Sequence, residues 1–211
     1  SSSPLGVPVL YFANPCTPQV VQAMSDGLLG FIATPAQGNA RPSGLTWCAD
    51  NGCFGKGYPG DDQWFAWLTR HAADAATCAF AVAPDVVGDA AATLARSGPW
   101  LPQIRALGYP AALVAQDGLE SLAVPWDEVD VLFIGGTTEW KLGPSARALI
   151  REAKAHGKRV HMGRVNSRQR YRYAEWVGCD SVDGTYLTFG PDTNLPLLLS
   201  WQVEPLIRAI S

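Results

Sequence analysis

Long hydrophobic runs are missing from this 211-residue sequence: 47% of its residues are hydrophobic, yet no uninterrupted stretch approaches the ~18–20 residues that cross a bilayer. Membrane insertion is therefore not expected. Ser1 to Pro8 shows neither the basic segment nor the apolar core of a secretory leader, so the expected location is the cytoplasm. Cysteine comes in an odd number (Cys16, Cys48, Cys53, Cys78 and Cys179) with no C-x-x-C pair. That spacing speaks against a disulfide framework and against a zinc knuckle, and reduced thiols are expected. The three histidines (His71, His156 and His161) lack the H-E-x-x-H spacing, so no metal is implied. No G-x-G-x-x-G or Walker pattern follows an apolar run, and no nucleotide cofactor is expected. Internal repeats, linkers and low-complexity tails are also missing.

What is present is enough for one domain, residues 1–211, with a sizeable core. Eight short, nearly continuous apolar runs recur: Val7 to Phe12, Leu28 to Ala33, Leu45 to Ala49, Phe80 to Ala83, Ala111 to Ala115, Val131 to Ile134, Arg159 to Met162 and Cys179 to Val182. Such runs suit strands buried on both faces of a parallel sheet rather than the half-polar alternation of a sandwich. Helical spacing fills the intervals at Pro18 to Ser25, Asp61 to Ala76, Asp89 to Leu107, Pro144 to His156 and Ser167 to Val177, with a last helix near Leu198 to Ile210. Asp89 and Ser167 have the chemistry of N-caps, and Pro144 suits a first helical turn. The sum is an α/β, TIM-type (β/α)8 barrel near the short limit of that architecture, with a flavodoxin-like open sheet as the alternative. Compactness requires helices to be short or missing: Thr34 to Gly44 reads as a loop in place of a helix, and Gly118 to Trp126 allows only a turn or two.

The net charge of −3 hides an asymmetry. Ten of the 16 basic residues lie between Lys141 and Arg172, where Glu152 is the single acid, so that segment carries +9 and the remainder −12. One basic face for a polyanion, including Lys141, Arg164, Arg168, Arg170 and Arg172, is one reading; a solvated helical surface is the other.

In a barrel the active groups sit at the C-terminal ends of strands. Here those ends are polar: Asp50-Asn51-Gly52, Pro84-Asp85, Gln116-Asp117-Gly118, Gly135-Gly136, Gly163-Arg164 and Asp183-Gly184. Carboxylates and amides converging on one mouth suit a polar heterocycle, and glycines let it approach the backbone. Each also has a plainer role open to it. Asp50 could form an Asx turn into Gly52, Asp85 could cap a helix, and Gly135-Gly136 could be only a turn. Asp180 and Asp183, three apart on one strand, face opposite sides, so only one points inward.

The order of these motifs resembles the tRNA-guanine transglycosylase superfamily, and more closely its compact DNA-acting, DpdA-type branch from bacteria and their phages. Asp50-Asn51-Gly52-Cys53-Phe54-Gly55 is similar to the family's D-S-G-G-F-Q loop. Asp85 falls where the family keeps a base-reading aspartate. Leu113 to Gly118 resembles its I-V-Q-G segment, and Phe133 to Gly136 its G-G-L-A-V-G segment. His161-Met162-Gly163-Arg164-Val165 and Gly178 to Gly184 resemble the H-L-M-G-V-G and G-x-D-x-F-D-C-V pair. The chain departs from the pattern at Cys53, Gly55 and Gly184, and the zinc module of the tRNA enzymes is absent, which points away from tRNA.

The resemblance implies double displacement at the sugar carbon bearing guanine, with DNA and a free 7-deazaguanine such as 7-cyano-7-deazaguanine as partners and no cofactor. Asp183 is the implied nucleophile and Asp50 the implied acid–base. Asp85 is expected to bind the guanine N1 and amino groups, with Gln116 and the Gly135 and Gly136 backbone reading O6. The basic segment is expected to hold phosphates. An N-ribosyl hydrolase acting on free nucleosides, or a non-catalytic nucleic-acid-binding barrel, are the alternatives.

Overall fold

A computed structural model describes residues 7–38 and 40–204. Eight strands close a parallel barrel in sequence order: β1 Leu10–Ala13, β2 Gly30–Ala33, β3 Trp47–Ala49, β4 Cys78–Val82, β5 Ala111–Ala115, β6 Val131–Ile134, β7 Arg159–Met162 and β8 Ser181–Asp183. This is the TIM-type barrel, and the open sheet is excluded by the pairing of β8 with β1. Around it run α1 Pro18–Ser25, α2 Asp61–Arg70, α3 Ala90–Ser97, α4 Trp100–Ala106, α5 Thr138–Lys141, α6 Pro144–Ala155, α7 Arg168–Val177 and α8 Pro191–Val203. Among the described residues no helix is long and apolar enough to cross a membrane.

The two-residue period of the strands divides the apolar side chains into two cores. Those pointing outward, such as Trp47, Leu113, Leu132 and Val182, pack with Trp64, Leu101, Ile150 and Tyr171 from the helices. Those pointing inward, Phe12, Cys48, Phe80, Val82, Ala112, Val114 and Val131, fill the barrel. Close packing in the middle of the barrel separates its two ends, and the polar strand ends lie at the C-terminal one.

Several elements differ from the sequence expectations, each for a physical reason. The helix expected over Asp89 to Leu107 splits into α3 and α4, because Pro99 has no amide hydrogen and its ring blocks the preceding turn. The one expected over Asp61 to Ala76 ends as α2 at Arg70 and tightens into a 3-10 turn, Ala72–Thr77. The last helix begins at Pro191, seven residues early, with Pro191 in its first turn; residues 205–210 of the expected helix lie outside the described residues. Strand β1 starts at Leu10, leaving Val7 exposed, and β8 runs to Asp183 rather than stopping at Val182. Among the described residues no helix joins β2 to β3, and two 3-10 turns, Leu119–Ser121 and Trp126–Glu128, join β5 to β6. Asp89 and Ser167 do cap their helices, accepting from the amides of Ala92 and Arg170 at 2.9 and 3.2 Å.

Candidate functional site

At the C-terminal rim a cavity of about 240 Å³ is lined by Asp50, Asn51, Asp85, Gln116, Gly135, Gly136, Arg164 and Asp183, among others. Six strand ends therefore supply one site. Its volume is below the ~300–1,000 Å³ of drug-sized pockets and suits a single small heterocycle. Val114 and Phe133 form apolar parts of the lining, and Phe54 and Val87, both solvent-exposed, stand with them.

The Asp85 carboxylate is the most firmly held polar group in the site. Its Oδ1 accepts from Asn51 Nδ2 and its Oδ2 from Gln116 Nε2, both at 2.8 Å. Asn51 also donates to the Ala83 carbonyl at 2.8 Å and accepts from the Cys53 amide at 2.7 Å, while Gln116 Oε1 accepts from the Gly88 amide at 3.0 Å. All three side chains are buried. Asp85 thus caps no helix. Gln116, expected to read a ligand directly, uses its amide to orient Asp85.

Helix α3 fixes the main chain that carries Asp85. Ser97 donates to the Pro84 carbonyl at 2.6 Å, Arg96 donates to the Asp85 carbonyl at 2.7 Å, and Thr93 bonds both the amide and the carbonyl of Val86. Arg96 is itself held by a bidentate pair with Asp61. Sequence reading missed the part these four residues play and, though it placed Asn51 at the mouth, the bond from Asn51 to Asp85, since no short motif joins positions this far apart.

Asp50 and Asp183 both face the cavity, as a site with two working carboxylates requires. Asp50 Oδ1 accepts from the Asn51 amide at 2.9 Å. Burial, then the charges of Asp183 and Asp85, push its carboxyl up to about 7. Asp180, three residues before Asp183, turns outward to pair with Lys154, as the strand period requires.

Asp183 is anchored from below and beside. Its Oδ2 meets His161 Nε2 at 2.6 Å, and the His161 Nδ1 meets Ser181 Oγ at 2.8 Å. The Asp183 carbonyl accepts from the Val165 amide at 2.7 Å, and Oδ1 has a long contact of 3.4 Å with the Arg164 amide. Tyr11 completes the frame by donating to the Val165 carbonyl at 2.8 Å.

Gly184 explains itself here. A Cβ at that position would run into the Val165 carbonyl, the Asn166 side chain and the Tyr11 hydroxyl. No side chain fits at this position without shifting those groups. Gly184→Ala is expected to lower stability by about 1–3 kcal/mol in urea unfolding, with site function falling more than the stability loss explains.

The two glycines after β6 act through their size. A Cβ on Gly135 would meet Val114, and one on Gly136 would meet Trp140 and Asp117. The Gly135 amide donates to the Ala115 carbonyl at 3.0 Å, so it is part of the ladder and not a free donor for O6 as expected. The Gly136 carbonyl accepts from the Arg164 guanidinium. Arg164 adopts a left-handed φ of 57° and also lies 5.7 Å from the Phe54 ring, spanning the mouth.

Several cations of the basic segment are drawn into local bonds and are not free to form one face. Residues 141–172 run from α5 through α6 and β7 into α7, which places them at both ends of the barrel wall. Arg159 lies at the opposite, N-terminal end, donating to the Ala79 carbonyl, and Lys154 pairs with Asp180. Arg168 and Arg172 share Glu204, and Arg172 also holds Glu175. These acids lie outside the segment whose charges were summed. Lys141 is buried and donates to the carbonyls of Gly163 and Arg164 at 2.8 and 3.3 Å. Burial first, then Arg164 and Arg170, lower its ammonium to about 8. It shapes the β7 loop and cannot reach a phosphate. Arg170 is half-buried; of the five cations, Arg164 lines the cavity.

No family profile matches the chain, and no curated protein does. Among solved structures the chain is similar to an HpcH/HpaI aldolase from Desulfitobacterium hafniense, with a TM-score of 0.54, 13% identity and 96% of each chain covered. It is also similar to the tryptophan synthase alpha subunit of Campylobacter jejuni, with a TM-score of 0.53, 9% identity, and 95% of this chain and 96% of that one covered. Likeness at these identities establishes the barrel and nothing of its chemistry.

Proposed function

We propose that the protein exchanges guanine in DNA for a 7-deazaguanine through a covalent aspartyl–deoxyribosyl intermediate. The observation that carries this reading is the convergence of Asp50, Asp85 and Asp183 on one base-sized cavity, in the motif order that resembles the transglycosylases.

The three carboxyls divide the work by environment. Asp50, raised to about 7, holds a proton near neutral pH and gives it to the departing guanine. Asp183 Oδ1 attacks C1′ as the C1′–N9 bond breaks, and the bond's electron pair leaves with the base. The incoming deazaguanine then attacks C1′, returns its proton to Asp50, and the ester's electron pair goes back to Asp183. Asp85, fixed by Asn51 and Gln116, accepts from the N1–H and amino group of the purine. A site built on such bonds rejects a base that lacks them by up to ~10⁴–10⁵. Arg164 offers its remaining guanidinium donors to a phosphate beside the extruded nucleotide, and extrusion itself costs a few kcal/mol.

The test is mass analysis of nucleosides from DNA incubated with the protein and 7-cyano-7-deazaguanine. The modified deoxynucleoside and an equal amount of released guanine are expected. Guanine release without replacement, or turnover of free nucleosides alone, would make the protein a hydrolase and refute the exchange reaction.

A further inference from the structure

The interior of a barrel this tightly packed has little use for a polar ring, yet His161 sits there with no solvent exposure. Its neighbours are aromatic: the rings of Phe133, Phe80 and Phe12 lie 4.6, 4.8 and 5.9 Å from it, centre to centre. An imidazole in such a box is tolerated only when both nitrogens are satisfied. Both are, by two residues of the neighbouring strand. β7 and β8 run parallel with His161 in register with Ser181, so Ser181 sits beside the ring and Asp183 one layer above it.

We infer that His161 is a positioning residue for Asp183, binding Oδ2 so that Oδ1 faces the cavity as the attacking oxygen; this rests on Asp183 being the nucleophile. The direction of the bond to Asp183 follows from the chemistry of the partners. A carboxylate only accepts, so Nε2 carries the hydrogen and donates to Oδ2 at 2.6 Å. In the neutral ring that we assign, Nδ1 is a lone-pair acceptor and the Ser181 hydroxyl donates to it at 2.8 Å. Asp183 thereby sets the tautomer, and Ser181 satisfies the second ring nitrogen. Among the described residues Oδ1 keeps only the long contact with the Arg164 amide, so its lone pairs remain available for C1′.

The same bond acts in both half-reactions. As Oδ1 bonds to C1′, charge leaves the carboxylate and Oδ2 becomes the carbonyl oxygen of the ester. When the incoming base displaces the ester, the charge returns and the Nε2–H bond stabilises the leaving carboxylate. Loss of the donor therefore slows the second displacement and randomises the orientation needed for the first.

Two measurements test this. The first needs no turnover: ring-nitrogen NMR of the labelled full chain is expected to show His161 protonated on Nε2 and bare on Nδ1, with Ser181→Ala keeping the hydrogen on Nε2. A hydrogen on Nδ1 in the native protein overturns the assignment. The second compares His161→Phe, which fills the aromatic box without a donor, with His161→Gln, whose amide can restore one. His161→Phe is expected to lower kcat about 100-fold with KM for the free base within about threefold, and His161→Gln to stay within about tenfold of wild type. Equal losses in both variants despite unchanged melting temperatures, or no loss in either, would overturn the positioning role. If the unmodified protein exchanges no base, the transglycosylase reading falls while the tautomer result still decides the hydrogen-bond assignment.

Discussion

Asp183→Asn is expected to abolish base exchange, by about 10⁴-fold or more, while leaving the fold and base binding in place. The substitution is nearly isosteric, and the asparagine oxygen can still accept from His161 Nε2, so the packing at the top of β8 persists. What is lost is the charged oxygen that attacks C1′. Binding of the free deazaguanine, followed by fluorescence or calorimetry, should change by less than about threefold, because Asp85 rather than Asp183 is the expected grip on the purine edge. A variant that keeps more than a few per cent of wild-type exchange would remove Asp183 from the mechanism.

The second large effect belongs to Asp50. With its carboxyl at about 7, kcat/KM for DNA should fall about tenfold per pH unit above pH 7, as the proton for the leaving base is lost. Asp50→Asn should lower the rate by ~10²–10⁴-fold and erase that alkaline limb. The same group makes an opposite prediction for stability. Its ordinary value is 3.8, so the folded protein holds a proton that the unfolded chain has released over this range. The native state therefore loses stability as pH rises from about 4 to about 7, by at most about 4 kcal/mol. Asp50→Asn removes that loss: urea unfolding should find it no more stable than wild type at pH 4, and more stable at pH 8. An active-site substitution that inactivates and stabilises is the signature of a carboxyl kept protonated for its chemistry.

Much of the fold could be read from the sequence because a parallel barrel writes its strands as apolar runs, and all eight runs coincide with strands to within about three residues at their ends. The site was legible for a related reason. In this architecture the residues just past each strand converge, so Asp50, Asp85, Gln116 and Asp183 could be grouped without knowing any distance. What was not legible depends on contacts between distant positions. The roles of Asn51, Arg96 and His161 are set by partners 34, 11 and 22 residues away; Asn51 and His161 lie in motifs the sequence displays, but nothing local shows what they bond. The basic segment failed for the same cause: Asp180, Glu175 and Glu204 lie outside the counted window but beside its cations in space. Lys141 looked like a surface charge because its neighbours Trp140 and Leu142 gave no sign that the short helix α5 turns its ammonium inward.

The covalent intermediate offers the most direct measurement. A guanine-containing oligonucleotide, mixed with the protein without any incoming base and quenched in acid, should leave a deoxyribosyl adduct detectable by peptide mass mapping. The expected location is Asp183, with the adduct vanishing when 7-cyano-7-deazaguanine is added before the quench. An adduct on Asp50 or Asp85, or base exchange proceeding with no adduct at any time point, would contradict the assignment of Asp183 as nucleophile.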